Sequence, residues 1–283
     1  MTSAPTANEA QRAYWNAAAG ETWAGLQALL DRQIAPLGLA AMDRLGAKPG
    51  EHVLDIGCGC GQTSLELARR VGPAGRVLGV DISTPMLEIA RQRATEEAAG
   101  SHLEFLETDA QTHDFGAGRF DAAFSRFGVM FFEDPPAAFV NIAAALKSGG
   151  RLVFVCWRPL PLNGWMTTPL NAALPFIPPP EPPKPGAPGP FAFADPERVR
   201  PILEAGGFSD IVFEALDAKV GGNSLEDTIR VSLRVGALAT VLRENPRLLP
   251  KVEPAVRAAL EPHATPDGVF LPAACWIVSA VKA

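Results

Sequence analysis

One stretch constrains the chain more than any other: Glu51-His-Val-Leu-Asp-Ile-Gly-Cys-Gly-Cys-Gly-Gln-Thr63. His52 to Ile56 is a short apolar run carrying one acid, Asp55, and reads as a buried strand. Gly57, Gly59 and Gly61 follow at every second position. Glycine accepts backbone angles that side chains resist and lets a ligand approach the main chain closely. A helix beginning near Gln62 points its free N–H groups back at this turn, which suits a carboxylate or another anionic group. A dinucleotide fingerprint needs G-x-G-x-x-G, and its third position here is Gln62, so that pattern fails. A nicotinamide-dependent oxidoreductase is therefore the disfavoured alternative.

The chain has 283 residues, enough for one large domain or a domain with a cap, and 47% of them are hydrophobic, enough for a full core. No apolar run is long enough to span a bilayer. The first residues lack a basic region and an apolar core, so no secretory signal is expected. The net charge of -6 argues against a nucleic-acid surface. Cys58, Cys60, Cys156 and Cys275 show neither C-x-x-C nor zinc spacing. They read as small buried residues of a protein in a reducing cytoplasm.

Along the chain, residues 1–10 read as disordered and a helical pattern begins at Glu9, carrying Tyr14, Trp15, Trp23, Leu26, Leu30 and Ile34. It is either an amphipathic helix pair packed on the domain or a lid whose aromatic residues cover a ligand. A helix from about Leu37 ends at Gly46. After the glycine turn come a helix to Val71 and a second strand, Arg76 to Asp81. Asp81 lies 20 positions beyond Gly61, where doubly wound folds place an acid for ribose hydroxyls. Its competing reading, a helix N-cap, fits Thr84 before Pro85 better. Ile82 should flank an adenine ring. A third strand, His102 to Glu107, precedes Asp109-Ala110-Gln111, placed to accept from an adenine amino group; a turn-starting aspartate is the plainer reading. The fourth strand, Phe120 to Ser125, runs into Arg126-Phe127-Gly128-Val129-Met130-Phe131-Phe132. A helix over 135–147 leads to the fifth strand, Arg151 to Trp157, apolar throughout as in the centre of a parallel sheet.

The composition then changes. Residues 175–190 are dominated by proline and glycine and cannot form a regular helix or central strand. Trp165, Met166 and Leu170 ahead of them face a substrate or fill local core. A capped helix opens at Asp195-Pro196 with Pro201 in its interior. A sixth strand spans Ser209 to Lys219, and one helix from Ser224 carries Ile229, Leu233, Ala237 and Val241 as its stripe. A helix over 250–260 precedes a last strand, Gly268 to Val281, expected antiparallel at the sheet edge.

Strands and helices in alternation, with acids at the ends of the first three strands, make a doubly wound α/β sheet. Together with Asp55-x-Gly57-x-Gly59-x-Gly61, this resembles the class I S-adenosylmethionine-dependent methyltransferases. Tyr14-Trp15-Asn16 and Ser125-Arg126-Phe127-Gly128 look most like bacterial relatives of the ubiquinone and menaquinone biosynthesis enzymes. The resemblance implies a Rossmann-like seven-stranded sheet, six strands parallel and the last antiparallel, with helices on both faces and a partly helical cap. It implies an N-terminal helical lid over 1–46 and a methyltransferase domain over 47–283, with cap insertions at about 158–194 and 220–266.

It also implies S-adenosylmethionine as cofactor, leaving S-adenosylhomocysteine. Gly57, Cys58, Gly59 and Gly61 would hold its methionine part, Asp55 orienting the amino group. Asp81 would hold the ribose, and Ile82, Met86, Asp109, Ala110 and Gln111 the adenine side. Trp15, Ser125 and Arg126 would lie against the cofactor. Phe127, Val129, Met130, Phe131, Trp157 and Trp165 would line a pocket for a small, fairly apolar acceptor. No catalytic base stands out; His113, His263, Arg126 and Tyr14 are the candidates. The Asn-Pro-Pro-Tyr of enzymes that methylate amide or exocyclic nitrogens is absent after the fourth strand, and so are metal-binding acids, so neither a nucleic-acid substrate nor a metal is expected. A cofactor-binding protein that transfers no methyl remains the second alternative, because these motifs report binding and not turnover.

Overall fold

The computed structural model describes residues 7–178, 184 and 186–283. Three helices come first: α1 (Glu9–Trp15), α2 (Ala18–Gly25) and α3 (Gln27–Leu45). The α3 helix starts ten residues earlier than the apolar pattern predicts and runs through Pro36. A proline removes one backbone donor, but α3 lies across the sheet, with Ile34, Leu37, Ala41, Met42 and Leu45 buried. Burial of that face outweighs the single lost bond. Gly46 ends the helix in the left-handed conformation, φ +59°. Of the disorder expected over residues 1–10, residues 1–6 lie outside the described residues, and the remainder is corrected: Asn8 is buried and hydrogen-bonded, and α1 begins at Glu9.

The α/β alternation follows: β1 (His52–Ile56), α4 (Gln62–Val71), β2 (Arg76–Asp81), α5 (Thr84–Glu96), β3 (Leu103–Glu107), β4 (Phe120–Arg126), α6 (Pro135–Ala145) and β5 (Leu146–Trp157). Then come α7 (Gly164–Ala173), α8 (Pro196–Ala205), β6 (Phe208–Asn223), α9 (Leu225–Arg234), α10 (Ala237–Glu244), α11 (Leu249–Leu260), β7 (Ala264–Thr265) and β8 (Gly268–Lys282). The sheet order is β3-β2-β1-β4-β5-β8-β6, with the two-residue β7 paired to β8. The pairs β1–β2, β1–β4, β2–β3 and β4–β5 are parallel, and β8 is antiparallel to both β5 and β6. Leu152 to Trp157 of β5 are all buried, which requires cover on both sheet faces.

Three expectations change. The last strand is not at the edge: β8 sits between β5 and β6, and β6 forms the edge. Burial explains the order. Ala273, Ala274, Cys275, Ile277, Val278 and Ala280 are buried, as in an inner strand, whereas β6 alternates buried with exposed positions. The single helix from Ser224 is two, broken at Gly236, whose φ of +85° no helix accommodates. Thr84 is not the N-cap of α5; that position is Ser83, whose side chain makes no cap bond, and the Thr84 N–H donates to Asn16 Oδ1 at 2.8 Å. Elsewhere capping follows the sequence: Asp195 accepts from Glu197 N–H and Ser224 from Asp227 N–H.

One large apolar core runs through the sheet and its helices. Its densest part is aromatic. Phe139 on α6 is fully buried, with Phe132, Phe154, Phe193 and Phe208 centred 5.9–6.3 Å away. A second core joins α7, α9, α10, α11 and the start of β8 through Ala173, Ile229, Leu242, Val252, Val256 and Leu271. Trp165 packs against both. Six residues of the proline-rich stretch expected over 175–190 lie outside the described residues. Among the described residues, no helix is long and apolar enough to cross a membrane. Phe139→Ala should cost about 3–5 kcal/mol of folding stability, read as a lower urea midpoint at unchanged slope.

Candidate active site

The turn after β1 is built on close backbone approach. Gly57 has φ +66°, and a Cβ there would stand 2.7 Å from the Gly128 Cα. Gly61 has φ +80°, and its Cβ would meet Ala90 and Phe105 at 2.9 Å. Side chains are thus excluded at both positions by space as well as by angle. Gly59 has φ +53° and donates its N–H to Asp81 Oδ2 at 2.8 Å. Asp55, at the end of β1, is fully buried. Its Oδ2 accepts from Thr63 Oγ1 and Ser64 Oγ, both at 2.6 Å. Its Oδ1 is buried and has no partner. Burial pushes this carboxyl up to about 6, against the pull of the two hydroxyls. Burial likewise pushes the Cys58 thiol well up and the Cys60 thiol to about 12, so both are unreactive at neutral pH. All four cysteines are free.

Parallel pairing in register carries the next acids to the same edge. Asp81 ends β2, and Asp109 follows β3 by two residues. Asp81 is 8% exposed; Oδ2 accepts from Gly59 N–H and Oδ1 from Ser83 N–H at 2.9 Å. Its carboxyl is raised by burial. A carboxylate offers about four acceptor sites, so acceptor capacity remains for a diol. Met86 is buried at the start of α5, with its sulfur beside Gly59. Asp109, Ala110 and Gln111 are buried, and Gln111 N–H donates to Asp109 Oδ1 at 2.8 Å.

The N-terminal segment closes over this edge, through residues that sequence reasoning missed. The Asn8 amide donates to both Asp109 oxygens, at 3.0 and 2.9 Å, and to Gln111 Oε1 at 3.1 Å. Asn8 also exchanges two hydrogen bonds with Glu133. Asn16 donates to the Ile82 carbonyl at 2.7 Å, and Ser83 Oγ donates to the Trp15 carbonyl at 2.8 Å. The Trp15 ring packs edge-on against Phe131 and Trp23. Tyr14 is 46% exposed beside Trp15, so its hydroxyl has no enclosed partner. Only the Tyr14-Trp15-Asn16 string hinted at this contact; Asn8 carries no local signal.

At the end of β4, Ser125 is fully buried. Its hydroxyl donates to the Ile56 carbonyl at 2.7 Å and accepts from the Gly128 and Val129 N–H groups. It ties β1 to the β4 turn. Phe127 has φ +64°, costly for a bulky residue and held by its surroundings. Its ring stacks on Trp157 at 4.1 Å and 7°, and Trp165 lies 5.0 Å beyond Trp157. The Trp165 indole N–H is buried without a partner. Val129 and Met130 are fully buried in the main core. Arg126 reaches Asp31 of α3 and Gln62 of α4. His113 packs on Phe115 after β3, and His263 sits in the short turn after α11. Neither hydrogen-bonds to the glycine turn among the described residues. Among those residues no group of three or more histidines, cysteines or acids is placed to hold a metal.

Residues 53–150 match the family model described as a methyltransferase domain. The chain is 39% identical over 106 residues to 2-phytyl-1,4-naphtoquinone methyltransferase of Trichormus variabilis, covering 38% of this chain and 46% of that protein. It is 36% identical over 146 residues to aklanonic acid methyltransferase DauC of Streptomyces sp., covering 51% and 60%. The chain thus spans about half the length of these curated relatives. Its fold is similar to that of the YcgJ protein from Bacillus subtilis, with TM-score 0.57 and 18% identity over 87% of this chain and 97% of that one. The class I methyltransferase resemblance and the Rossmann-like sheet therefore hold.

Gly57→Ala should lower stability by about 1–3 kcal/mol, because it meets both a positive φ and the Gly128 backbone. Gly25→Ala on α2, with nothing within 4 Å, should be neutral or slightly stabilising. Thermal melts of the two variants side by side check the contrast.

Proposed function

We propose that the chain transfers a methyl group from S-adenosylmethionine to a small, fairly apolar molecule. The observation that carries this reading is the row Asp55, Asp81 and Asp109 at the carboxyl ends of three adjacent parallel strands, beside glycines that admit no Cβ. The residues fit the cofactor in kind. The unpartnered Asp55 Oδ1 suits the ammonium of its amino-acid end. Asp81 suits the ribose diol, and Asp109 with Gln111 suits the adenine amino group. Bound there, the cofactor supplies an electrophilic methyl carbon on a positive sulfur, which an acceptor takes in line, leaving S-adenosylhomocysteine.

The chain's own work is then alignment and exclusion of water. Residues 1–46 act as a lid, α1 spanning the ends of β2 and β3 through Asn16 and Asn8. The segments at about 158–194 and 220–266 act as a cap. Phe127, Trp157 and Trp165, with Phe131 under Trp15, form the acceptor side of the pocket. Relatives named for a naphthoquinone and for aklanonic acid support a ring-bearing apolar acceptor. The net charge of -6 argues against a nucleic-acid acceptor, and a reducing cytoplasm suits four free cysteines.

Labelled methyl from S-adenosylmethionine should enter one of several pools, sorted as phenols and quinols, amines, thiols and carboxylates. Asp81→Ala should reduce that label at least tenfold. Tight cofactor binding with no label in any pool would favour a non-transferring role, and no binding would defeat the proposal. Affinity should also depend on pH. A carboxyl raised to about 6 is largely protonated at pH 5, and a bound ammonium favours its ionised form. Binding therefore releases a proton, and affinity rises with pH between about 5 and 7. Asp81, also raised, acts in the same direction, so Asp55→Asn should give a shallower rise in titration calorimetry.

A further inference from the structure

Helix α1 turns a polar side chain inward. Of its seven residues only Gln11 and Trp15 are shielded from solvent; Glu9, Ala10, Arg12, Ala13 and Tyr14 are exposed. Gln11 and Trp15 lie one turn apart and share a face. At Trp15 that face carries an apolar ring, packed on Phe131 and Trp23. At Gln11 it carries a carboxamide whose Oε1 is buried and accepts no hydrogen bond among the described residues. A buried acceptor without a donor is costly and uncommon, and an apolar side chain would avoid the cost.

Three anchors fix where that face points. One turn before Gln11, Asn8 holds Asp109 and Gln111 after β3, and Glu133 ahead of α6. Just past the helix, Asn16 bonds to the Ile82 carbonyl and the Thr84 N–H, after β2. The Trp15 ring rests on Phe131, after β4. Gln11 therefore lies over the carboxyl edge, between the ends of β2, β3 and β4, on the side that the proposed function gives to the adenine.

A count of donors and acceptors identifies the group it meets. S-adenosylmethionine carries three kinds of donor: the ammonium, the ribose hydroxyls and the adenine 6-amino group. The first two face Asp55 and Asp81, at the ends of β1 and β2. Asp109 is nearly saturated from within the protein: Oδ1 accepts from Asn8 Nδ2 and the Gln111 N–H, and Oδ2 from Asn8 Nδ2. Of about four acceptor sites on a carboxylate, roughly one is left, and an amino group brings two hydrogens. Gln111 Oε1 has no room for the second, because it already accepts from Asn8 and from the Asp134 N–H at 3.0 Å.

We infer that Gln11 Oε1 accepts the second hydrogen of the adenine 6-amino group, which makes the N-terminal lid a reader of the base. The inference rests on the cofactor reading above and adds to it a residue outside every strand-end motif. One acceptor on the sheet edge and one on the lid then face a single amino group. A purine with an oxygen at that position presents an acceptor to Gln11 and leaves its Oε1 buried and unpaired. Selection of the base and closure of α1 are coupled, because Gln11 reaches the base only while Asn8 and Asn16 hold the helix down.

The test compares S-adenosylhomocysteine with its 6-oxo counterpart, S-inosylhomocysteine, each titrated calorimetrically into the full chain, wild type and variants. The wild type should prefer the amino ligand on the order of 100-fold, the worth of two hydrogen bonds. Gln11→Met keeps the length of the side chain and removes the acceptor, and should reduce the preference to about 10-fold. Gln11→Glu keeps an acceptor and should hold the preference within about threefold of the wild-type value. Affinity for S-inosylhomocysteine should stay within about threefold in Gln11→Met. No preference in the wild type, or one unchanged in Gln11→Met, would overturn the inference. So would equal loss of both ligands, which marks packing rather than recognition, or a loss of preference in Gln11→Glu as large as in Gln11→Met. Failure of the wild type to bind either nucleoside would instead defeat the cofactor reading, and this inference with it.

Discussion

The carboxyl edge of the sheet depends on two backbones that nearly touch. Gly57 and Gly128 approach so closely that neither position tolerates a Cβ. The Ser125 hydroxyl pins the same place from below, bridging Ile56 to the turn after β4. From that contact the chain leaves in two directions. One leads through Gly59 to Asp81 and the row of acids. The other leads through the strained Phe127 to the stacked rings of Trp157 and Trp165. A polar half and an aromatic half thus diverge from one junction. A molecule with a charged, hydroxyl-rich end and a reactive carbon suits the junction itself.

Much of this was legible because its signals are local. Asp55 to Gly61 announce a strand, a turn and a helix within a few positions, and the positive φ that each glycine adopts belongs to the turn alone, whereas the close approach of Gly128, Ala90 and Phe105 does not. The acids after the second and third strands are recognisable by where strands end. The aromatic pair Phe127 and Trp157 is readable from the apolar runs that close the fourth and fifth strands. The inner position of β8 was also written in the chain, since Ala273 to Val281 is nearly continuous apolar sequence while β6 alternates. Chain order had suggested the edge; the burial pattern decides against it.

The rest was hidden because it depends on contacts between distant segments. Asn8 meets Asp109 across 101 positions, Asn16 meets Ile82 across 66, and Asp31 meets Arg126 across 95. An asparagine before a helix, or an aspartate within one, has many ordinary roles, and no spacing rule separates them. Pro36 inside α3 is a related case, since its local penalty is visible in the sequence and its compensating burial is not. Gly236 worked the other way, where a turn conformation overrode a stripe that looked helical.

The strand order has a consequence for how the protein is made. In β-strand terms the sheet is finished from the inside: β6 leaves the ribosome before the strand that joins it to β5. Until β8 arrives, β5 presents an apolar, unpaired flank and β6 has no neighbour, with α9, α10 and α11 emerging in between. The nascent domain therefore carries an open slot of hydrogen-bonding backbone, the kind of surface on which chains mispair and aggregate. Insertion of one strand closes both flanks together, since β8 pairs with β5 on one side and β6 on the other.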